Sequence, residues 1–389
     1  MNFWINFGLI ALLAIYWLFG RRIQRGLSAP TRASRTNQPT VSVVVAARNE
    51  ARRIGALLND LALQGYPREL LEIIVIDDSS TDTTAEIVTQ HSDTGVRLIQ
   101  LEHTPPGWSP KKFALQKGIE ASTGEIILTT DADCRVGPRW IEGMVAGFDD
   151  SVGLVAGFSR ISKKETSSRA AAAWEGLDFF ALLSAAAGTL NKGMPMSVTG
   201  QNLAYRREAW EQVGGFEAIH HRPSGDDMLM MQLIAHRTDW QCHFHLLPDS
   251  FVSTRACESV RELIHQRLRW ASNASSGIFM PWPFLTYLVT AWLLALAQVT
   301  LILTLPFNPS WAVTTVALWS VKTWMDYRVL ALAARRFDTT DLLRHMPLWV
   351  TTVPFYTTAI GAFGPLGRFT WKGRKFSASA RIGEPATSS

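Results

Sequence analysis

Charge is scarce in this sequence: 18% of its 389 residues are Asp, Glu, Lys or Arg, against 47% hydrophobic. That balance is too apolar for an ordinary soluble enzyme and too polar for a bundle lying wholly in a membrane, which leaves a soluble domain joined to membrane segments. Cysteine is sparse as well. Cys134, Cys242 and Cys257 form no even set and show no ligand-like spacing, so they build no disulfide framework and read as reduced thiols of a cytosolic domain. Five histidines, His220, His221, His236, His243 and His245, fall close together but lack the partner pattern of a zinc site. The net charge of +5 does not point to nucleic acid, because the basic excess lies beside apolar runs, at Arg21, Arg22 and Arg25 and again at Arg368, Lys372, Arg374 and Lys375. There it suits anionic lipid headgroups.

Residues 3–20 are an apolar run of membrane-spanning length with the first basic cluster behind it. A signal peptide carries its positive charge in front and a small-residue cleavage site behind, so this run predicts a retained anchor, 1–25, with its carboxyl end in the cytosol. A linker rich in Ser, Thr, Pro and Arg follows, 26–40. Apolar runs return at 283–305, 311–334 and 348–366, within a C-terminal membrane region assigned to 278–366. Lys322 and Asp326 in the middle run stand four apart, which lets them pair on one helix face; a functional site and an internal salt bridge are both open. The last run is broken by prolines and glycines, and a full crossing there would put the basic tail, 367–389, outside. The expectation is a re-entrant or interfacial element that returns the tail to the cytosol. Asn273-Ala274-Ser275 has the form of a glycosylation sequon, which a cytosolic position leaves unmodified.

Between the apolar flanks the pattern changes to β-rich runs (41–47, 71–78, 96–101) alternating with helical stretches (54–63, 84–91), which predicts a parallel sheet with helices on its faces. The run Ile-Ile-Leu-Thr-Thr-Asp-Ala-Asp-Cys, 126–134, reads as a buried strand with Asp131 and Asp133 at its carboxyl end, the rim where open α/β sheets bind ligands. Residues i and i+2 of an extended chain point to one side, so both carboxylates can face one hard divalent cation and the phosphate oxygens it carries. The same rim receives Arg48-Asn49-Glu50 and Asp77-Asp78-Ser79-Ser80-Thr81-Asp82, with Asp82 read as a helix cap. Lys111 and Lys112 open a helix, a position that opposes the helix dipole unless an anion such as a nucleotide phosphate is near. Asp226 and Asp227 follow Ser224-Gly225, and Gln266, Arg269 and Trp270 share one face of a helix at i, i+3 and i+4.

Over about 41–270 these elements, in this order, resemble the inverting family 2 glycosyltransferases of the GT-A fold, a Rossmann-like α/β nucleotide-sugar domain of 41–255 here flanked by transmembrane helices. The resemblance implies that Asn49, Glu50 and Asp78 belong to the nucleoside site, that Lys111 or Lys112 steadies the nucleotide, and that Asp133, with Asp131, holds Mg2+ or Mn2+ beside the diphosphate. It implies that 197–216, with an Arg-rich helix after Gly200, lines the acceptor side, and that Asp227 is the base with Asp226 its neighbour. The Asp-Asp pair departs from the commoner Glu-Asp, so the assignment within the pair is open. The interfacial helix, 256–277, matches the Gln-x-x-Arg-Trp signature of membrane-embedded members, which implies Arg269 as pyrophosphate clamp and Trp270 as acceptor platform. The implied donor is a UDP-hexose. The implied acceptor is a membrane lipid or a growing glycan, met at the cell (inner) membrane by a multi-pass protein with a cytosolic catalytic domain and no nucleic-acid partner. A processive exopolysaccharide synthase is the nearest alternative, and a non-catalytic membrane-tethered nucleotide-sugar binding protein is the alternative from another class.

Overall fold

The computed structural model describes residues 2–30, 38–162, 169–272, 281–364, 368–371 and 374–377. Part of the linker, the sequon at Asn273, and Lys372 and Arg381 of the basic tail lie outside them. The described residues divide into two compact units, one within 30–162 and 195–256, the other within 2–29, 169–194 and 257–377.

The first unit is built on a seven-stranded sheet. Its strands are β1 (Val41–Ala47), β2 (Leu71–Asp78), β3 (Val96–Leu101), β4 (Ile126–Thr129), β6 (Val152–Ala156), β8 (Leu203–Arg206) and β9 (Gln241–Phe244), in the order β3-β2-β1-β4-β8-β6-β9. A second sheet is made by β5 (Arg135–Val136), β7 (Ser159–Ser162) and β10 (Val252–Arg255), in the order β5-β10-β7. β3, β2, β1 and β4 run parallel, as apolar strands joined by helices must. These are the parallel strands expected from the sequence; beyond them β8 pairs antiparallel with both β4 and β6, so the sheet is mixed. β8 also replaces the start of the Arg-rich helix expected after Gly200, leaving only Arg207–Gln212 helical. The guanidinium of Arg206 is buried against Glu125 at 2.8 Å and donates to the carbonyls of Val152 and Asp149, so its task is to seal the sheet's far end.

Val41, Val43 and Val45 face one layer of the core with Ile54, Leu57, Leu58 and Leu61 of the helix Ile54–Ala62. On the other face the helix Pro110–Glu120 lies so close to the sheet that a Cβ on Gly118 would come within 2.3 Å of Ile76 and 2.5 Å of Val44. Only a residue without a side chain permits that approach. It sets the height of the helix and therefore of Lys111 and Lys112 in its first turn.

The second unit contains the helices Asn2–Leu27, Arg169–Leu190, Val260–Ser272, Trp282–Thr304, Ala312–Arg336 and Met346–Phe363, and an antiparallel hairpin of Arg368–Trp371 with Arg374–Ser377. Three described helices are long and apolar enough to cross a membrane: Phe3–Leu27, Ala170–Leu190 and Trp282–Thr304. The second of these belongs to a segment expected, from the sequence, in the catalytic domain. Most of its apolar side chains, among them Leu177, Phe180, Leu183 and Leu190, are buried within the protein, while Leu182 is exposed. A single crossing by this helix would separate β7 from β8, whereas β8 pairs with β6, which ends just before β7. Hydropathy here reports a protein core. Gly26 and Gly188 bring the first two helices of the unit into backbone contact, since a Cβ on Gly26 would lie 1.8 Å from the Gly188 carbonyl oxygen.

Lys322 and Asp326 are both buried and pair at 2.8 Å, and the Tyr16 hydroxyl donates to the other oxygen of Asp326 at 2.7 Å. That arrangement is an internal bridge, tying the helix Ala312–Arg336 to the first helix of the chain. A second buried pair joins Arg267 to Asp178 at 2.8 Å.

Candidate active site

Three turns at the carboxyl rim of β1, β2 and β4 bring acidic side chains together. Asn49 and Ser79 hold left-handed backbone, with φ of 54° and 52°. Such conformations cost non-glycine residues of order 1 kcal/mol or more and tend to sit where a function over-determines the chain. Asn49 is used to join the two turns: its Oδ1 accepts from Thr81 N at 2.8 Å, and its N–H donates to Ser80 Oγ at 2.9 Å. Asp82 does similar work, accepting from Thr84 N and Ala51 N, each at 3.1 Å. Glu50 and Asp78 are buried beneath these turns, with Arg53 at 3.5 Å from Glu50 and Arg48 at 3.3 Å from Asp78. Thr104 Oγ1 donates to Asp78 at 3.3 Å.

The centre of the arrangement is Lys111. Its Nζ lies 2.8 Å from Asp131 Oδ1 and 2.9 Å from Asp226 Oδ2, so one ammonium spans the Asp-x-Asp turn after β4 and the Asp-Asp pair near residue 226. Burial works against the charged form, but the carboxylates of Asp131 and Asp226 outweigh it and hold the ammonium well above its ordinary range. Asp133 faces Arg255 Nε at 3.5 Å. No local signal in the sequence marks Arg255; it arrives because β10 pairs with β5, which begins two residues after Asp133.

The two acids of the pair are placed differently. Asp227 accepts from Gly200 N at 2.8 Å through Oδ2 and from Met228 N at 2.6 Å through Oδ1. Burial and the neighbouring charge of Asp226 push its carboxyl up, whereas for Asp226 burial is outweighed by Lys111 and Lys112, which hold it down. Of the two, Asp227 is therefore the more basic. Gly200, the donor to Asp227, is marked in the sequence only as a glycine among small residues. A Cβ there would sit 3.2 Å from Asp226 Oδ2.

Lys112 turns away from this cluster. It is 1% exposed, and its Nζ donates to the carbonyls of Arg222 at 2.7 Å and Ser224 at 2.8 Å, so of the two lysines Lys111 is the one that meets the acids. Burial pulls the Lys112 amino group down to about 7.

Among the described residues no three or more His, Cys, Asp or Glu side chains converge as a ready-made metal cage. Two part-exposed carboxylates, Asp131 and Asp133 with 30% and 23% side-chain exposure, still fit Mg2+ or Mn2+, which take one or two carboxylates and complete their shell with water and substrate phosphates. The His220 ring lies tilted against Trp108 at 5.0 Å, and His243 lies beside His245 at 6.0 Å. Gln266, Arg269 and Trp270 lie on the helix Val260–Ser272 of the second unit. There the Arg267 guanidinium covers the Trp270 ring at 4.3 Å, and Phe179 flanks it at 5.8 Å.

A mixed α/β sheet with acids at the carboxyl ends of β1, β2 and β4, and one lysine joining Asp131 to Asp226, has the GT-A fold. Across 86% of this chain and 97% of the other, it superposes with TM-score 0.61 on a mannosyltransferase from Pyrobaculum calidifontis solved with GDP-mannose and Mn2+, at 23% identity. Residues 42–214 match the model of glycosyl transferase family 2, and this part of the chain is a family 2 glycosyltransferase domain. Glycosyltransferase AglE of Haloferax volcanii is 32% identical over 49% of this chain and 59% of its own length. A beta-monoglucosyldiacylglycerol synthase of Nostoc sp. is 27% identical over 67% of this chain and 57% of its own. The chain thus spans less than two thirds of the length of these relatives.

Proposed function

We propose that this protein is an inverting hexosyltransferase that moves the sugar of a UDP-hexose to the hydroxyl of a membrane lipid. The observation that carries the reading is Lys111, whose ammonium touches both the carboxylate of the Asp-x-Asp turn and that of the Asp-Asp pair. The donor diphosphate and the acceptor hydroxyl have to meet within reach of such a cation, because attack and departure occur on opposite faces of one anomeric carbon. Glu50 and Asp78 receive the nucleoside in the rim below Asn49. Asp131 and Asp133 hold Mg2+ or Mn2+, which when bound supplies Lewis-acid stabilisation of the diphosphate. Lys111 neutralises the phosphates beside it. Asp227 takes the proton from the acceptor hydroxyl; its two backbone donors fix the carboxylate's orientation, and its raised basicity favours the transfer. The family resemblance assigns the departing pyrophosphate to Arg269, which shares its helix face with Gln266 and Trp270.

A lipid acceptor is supported by the likeness to the diacylglycerol glucosylating relative and by the apolar helices Phe3–Leu27 and Trp282–Thr304. The protein then sits in the cell membrane as a multi-pass protein with its catalytic unit in the cytosol. Met346–Phe363 is taken as a re-entrant or interfacial element: its start contacts Asp178 through Trp349, and Gly364 at its end packs on Ala271, where a Cβ would be 2.5 Å away.

The test incubates the purified full chain with UDP-glucose, UDP-galactose, UDP-N-acetylglucosamine or GDP-mannose, Mn2+ and a membrane lipid extract, followed by mass analysis of lipid and polymer fractions. A glycolipid with one added hexose of inverted anomeric configuration is expected. Sugar recovered only as polymer would make the protein a processive synthase instead.

A further inference from the structure

The stretch 220–227 is neither helix nor strand, yet it carries both acids of the Asp-Asp pair. Its backbone is fastened to the start of the helix Pro110–Glu120. Ser109 N donates to the His220 carbonyl at 2.8 Å, and Ser109 Oγ to that of Pro223 at 3.4 Å. Lys112 Nζ takes the carbonyls of Arg222 and Ser224, at 2.7 and 2.8 Å. The Trp108 ring closes the end of this clasp against His220. One turn of sequence thus holds four carbonyls of the loop, and next to Lys112 in the chain Lys111 reaches across to Asp226 and Asp131.

We propose that Lys112 is a positioning residue for the acceptor-activating pair: its buried amino group fixes the backbone at 222–224 and so sets where Asp226 and Asp227 stand relative to Asp131. The proposal rests on the glycosyltransfer reading for its kinetic consequence and on geometry alone for its structural one. A lysine suits the task because its long stem reaches through the packed helix face and its three rotatable donors can serve two carbonyls at once. The carbonyls of Ser224 and Arg222 precede Asp226 by two and four residues, so any movement of them is passed to the acids through a short length of backbone. Lys112 makes its hydrogen bonds to the chain, so donor binding does not depend on it.

Lys112→Met, made in the full chain, keeps the length of the stem and removes the donors. At saturating donor its kcat is expected to fall about tenfold or more while the donor KM and the Mn2+ response stay within about twofold, the split of an interaction that matters to reaction and not to binding. Hydrogen exchange across 220–227 is expected to quicken by about tenfold, with the strands of the sheet unchanged. A donor KM that rises while kcat holds would mean that Lys112 meets the nucleotide, and exchange equal to wild type would mean that it holds nothing; either overturns the proposal. If Lys112→Met does not accumulate folded, Ser109→Ala loosens the same clasp more mildly and is expected to show the same split at about threefold; an unchanged kcat and unchanged exchange there overturn it equally. If the wild-type chain transfers none of the sugars tried, the functional reading fails, and the exchange measurement, which needs no substrate, still decides the clasp.

Discussion

Replacing Lys111 with methionine removes the ammonium that touches Asp131 and Asp226, and the structure predicts opposite effects on metal binding and on turnover. A divalent ion that takes Asp131 as a ligand must displace this lysine or share the carboxylate with it. A hydrogen bond between charged groups contributes about 1.5–3 kcal/mol, and with side chains 23% and 30% exposed the lower figure is the fair one after screening. Without the lysine the ion no longer competes for Asp131, and the unscreened charge of Asp226 attracts it further. Mn2+ should therefore bind about tenfold more tightly in the absence of nucleotide, since about 1.4 kcal/mol corresponds to a factor of ten. Turnover should fall by about 100-fold, the order expected when a preorganised charge beside the leaving diphosphate is lost. Titration of Mn2+ followed by electron paramagnetic resonance, without nucleotide and then with UDP, separates the two. Unchanged or weaker Mn2+ binding in Lys111→Met would refute the idea that lysine and metal compete for Asp131.

Asp133→Asn should leave the fold intact and remove the response of donor binding to Mg2+ or Mn2+, because an amide is a poor ligand for a hard cation; calorimetry of UDP binding with and without the ion checks it. Asp227→Asn should lower kcat by about 100-fold or more with donor affinity nearly unchanged, and the opposite ranking of Asp226→Asn and Asp227→Asn would reverse the assignment within the pair. Because the Asp227 carboxyl is pushed up by burial and by Asp226, its activity as a base is lost as pH falls through a value above the ordinary aspartate range; Asp226→Asn should move that acid limb of the kcat profile downward. Arg267→Met leaves the buried Asp178 carboxyl without its partner, which should destabilise the second unit by about 3 kcal/mol, read as a lowered midpoint of thermal unfolding in detergent.

The sheet and the rim acids were legible because continuous apolar runs bounded by turn residues can hardly be anything but buried parallel strands: 41–47, 71–78 and 96–101 match β1, β2 and β3 residue for residue. The acids then follow at the strand ends by position alone. What stayed hidden depends on contacts between distant parts of the chain. Adjacent lysines on a helix differ by about 100° in direction, and only the arrival of 222–224 decides that Lys112 is the buried one. Arg255 meets Asp133 through a two-residue strand too short to announce itself. Hydropathy could not tell that 169–190 faces protein, because a buried helix and a membrane helix are equally apolar.

The excursion of residues 169–194 into the second unit, between strands of the first, has a practical consequence. A fragment cut at 41–255 would carry that helix without the packing partners that cover Leu177, Phe180, Leu183 and Leu190, and would present them to water. During synthesis, too, β8 emerges only after this helix, so the central sheet waits for its sixth and seventh strands until an apolar segment has been made and housed. The first unit is therefore not excisable at 41–255 as it stands: soluble expression of that fragment calls for redesign of the helix face it would newly expose.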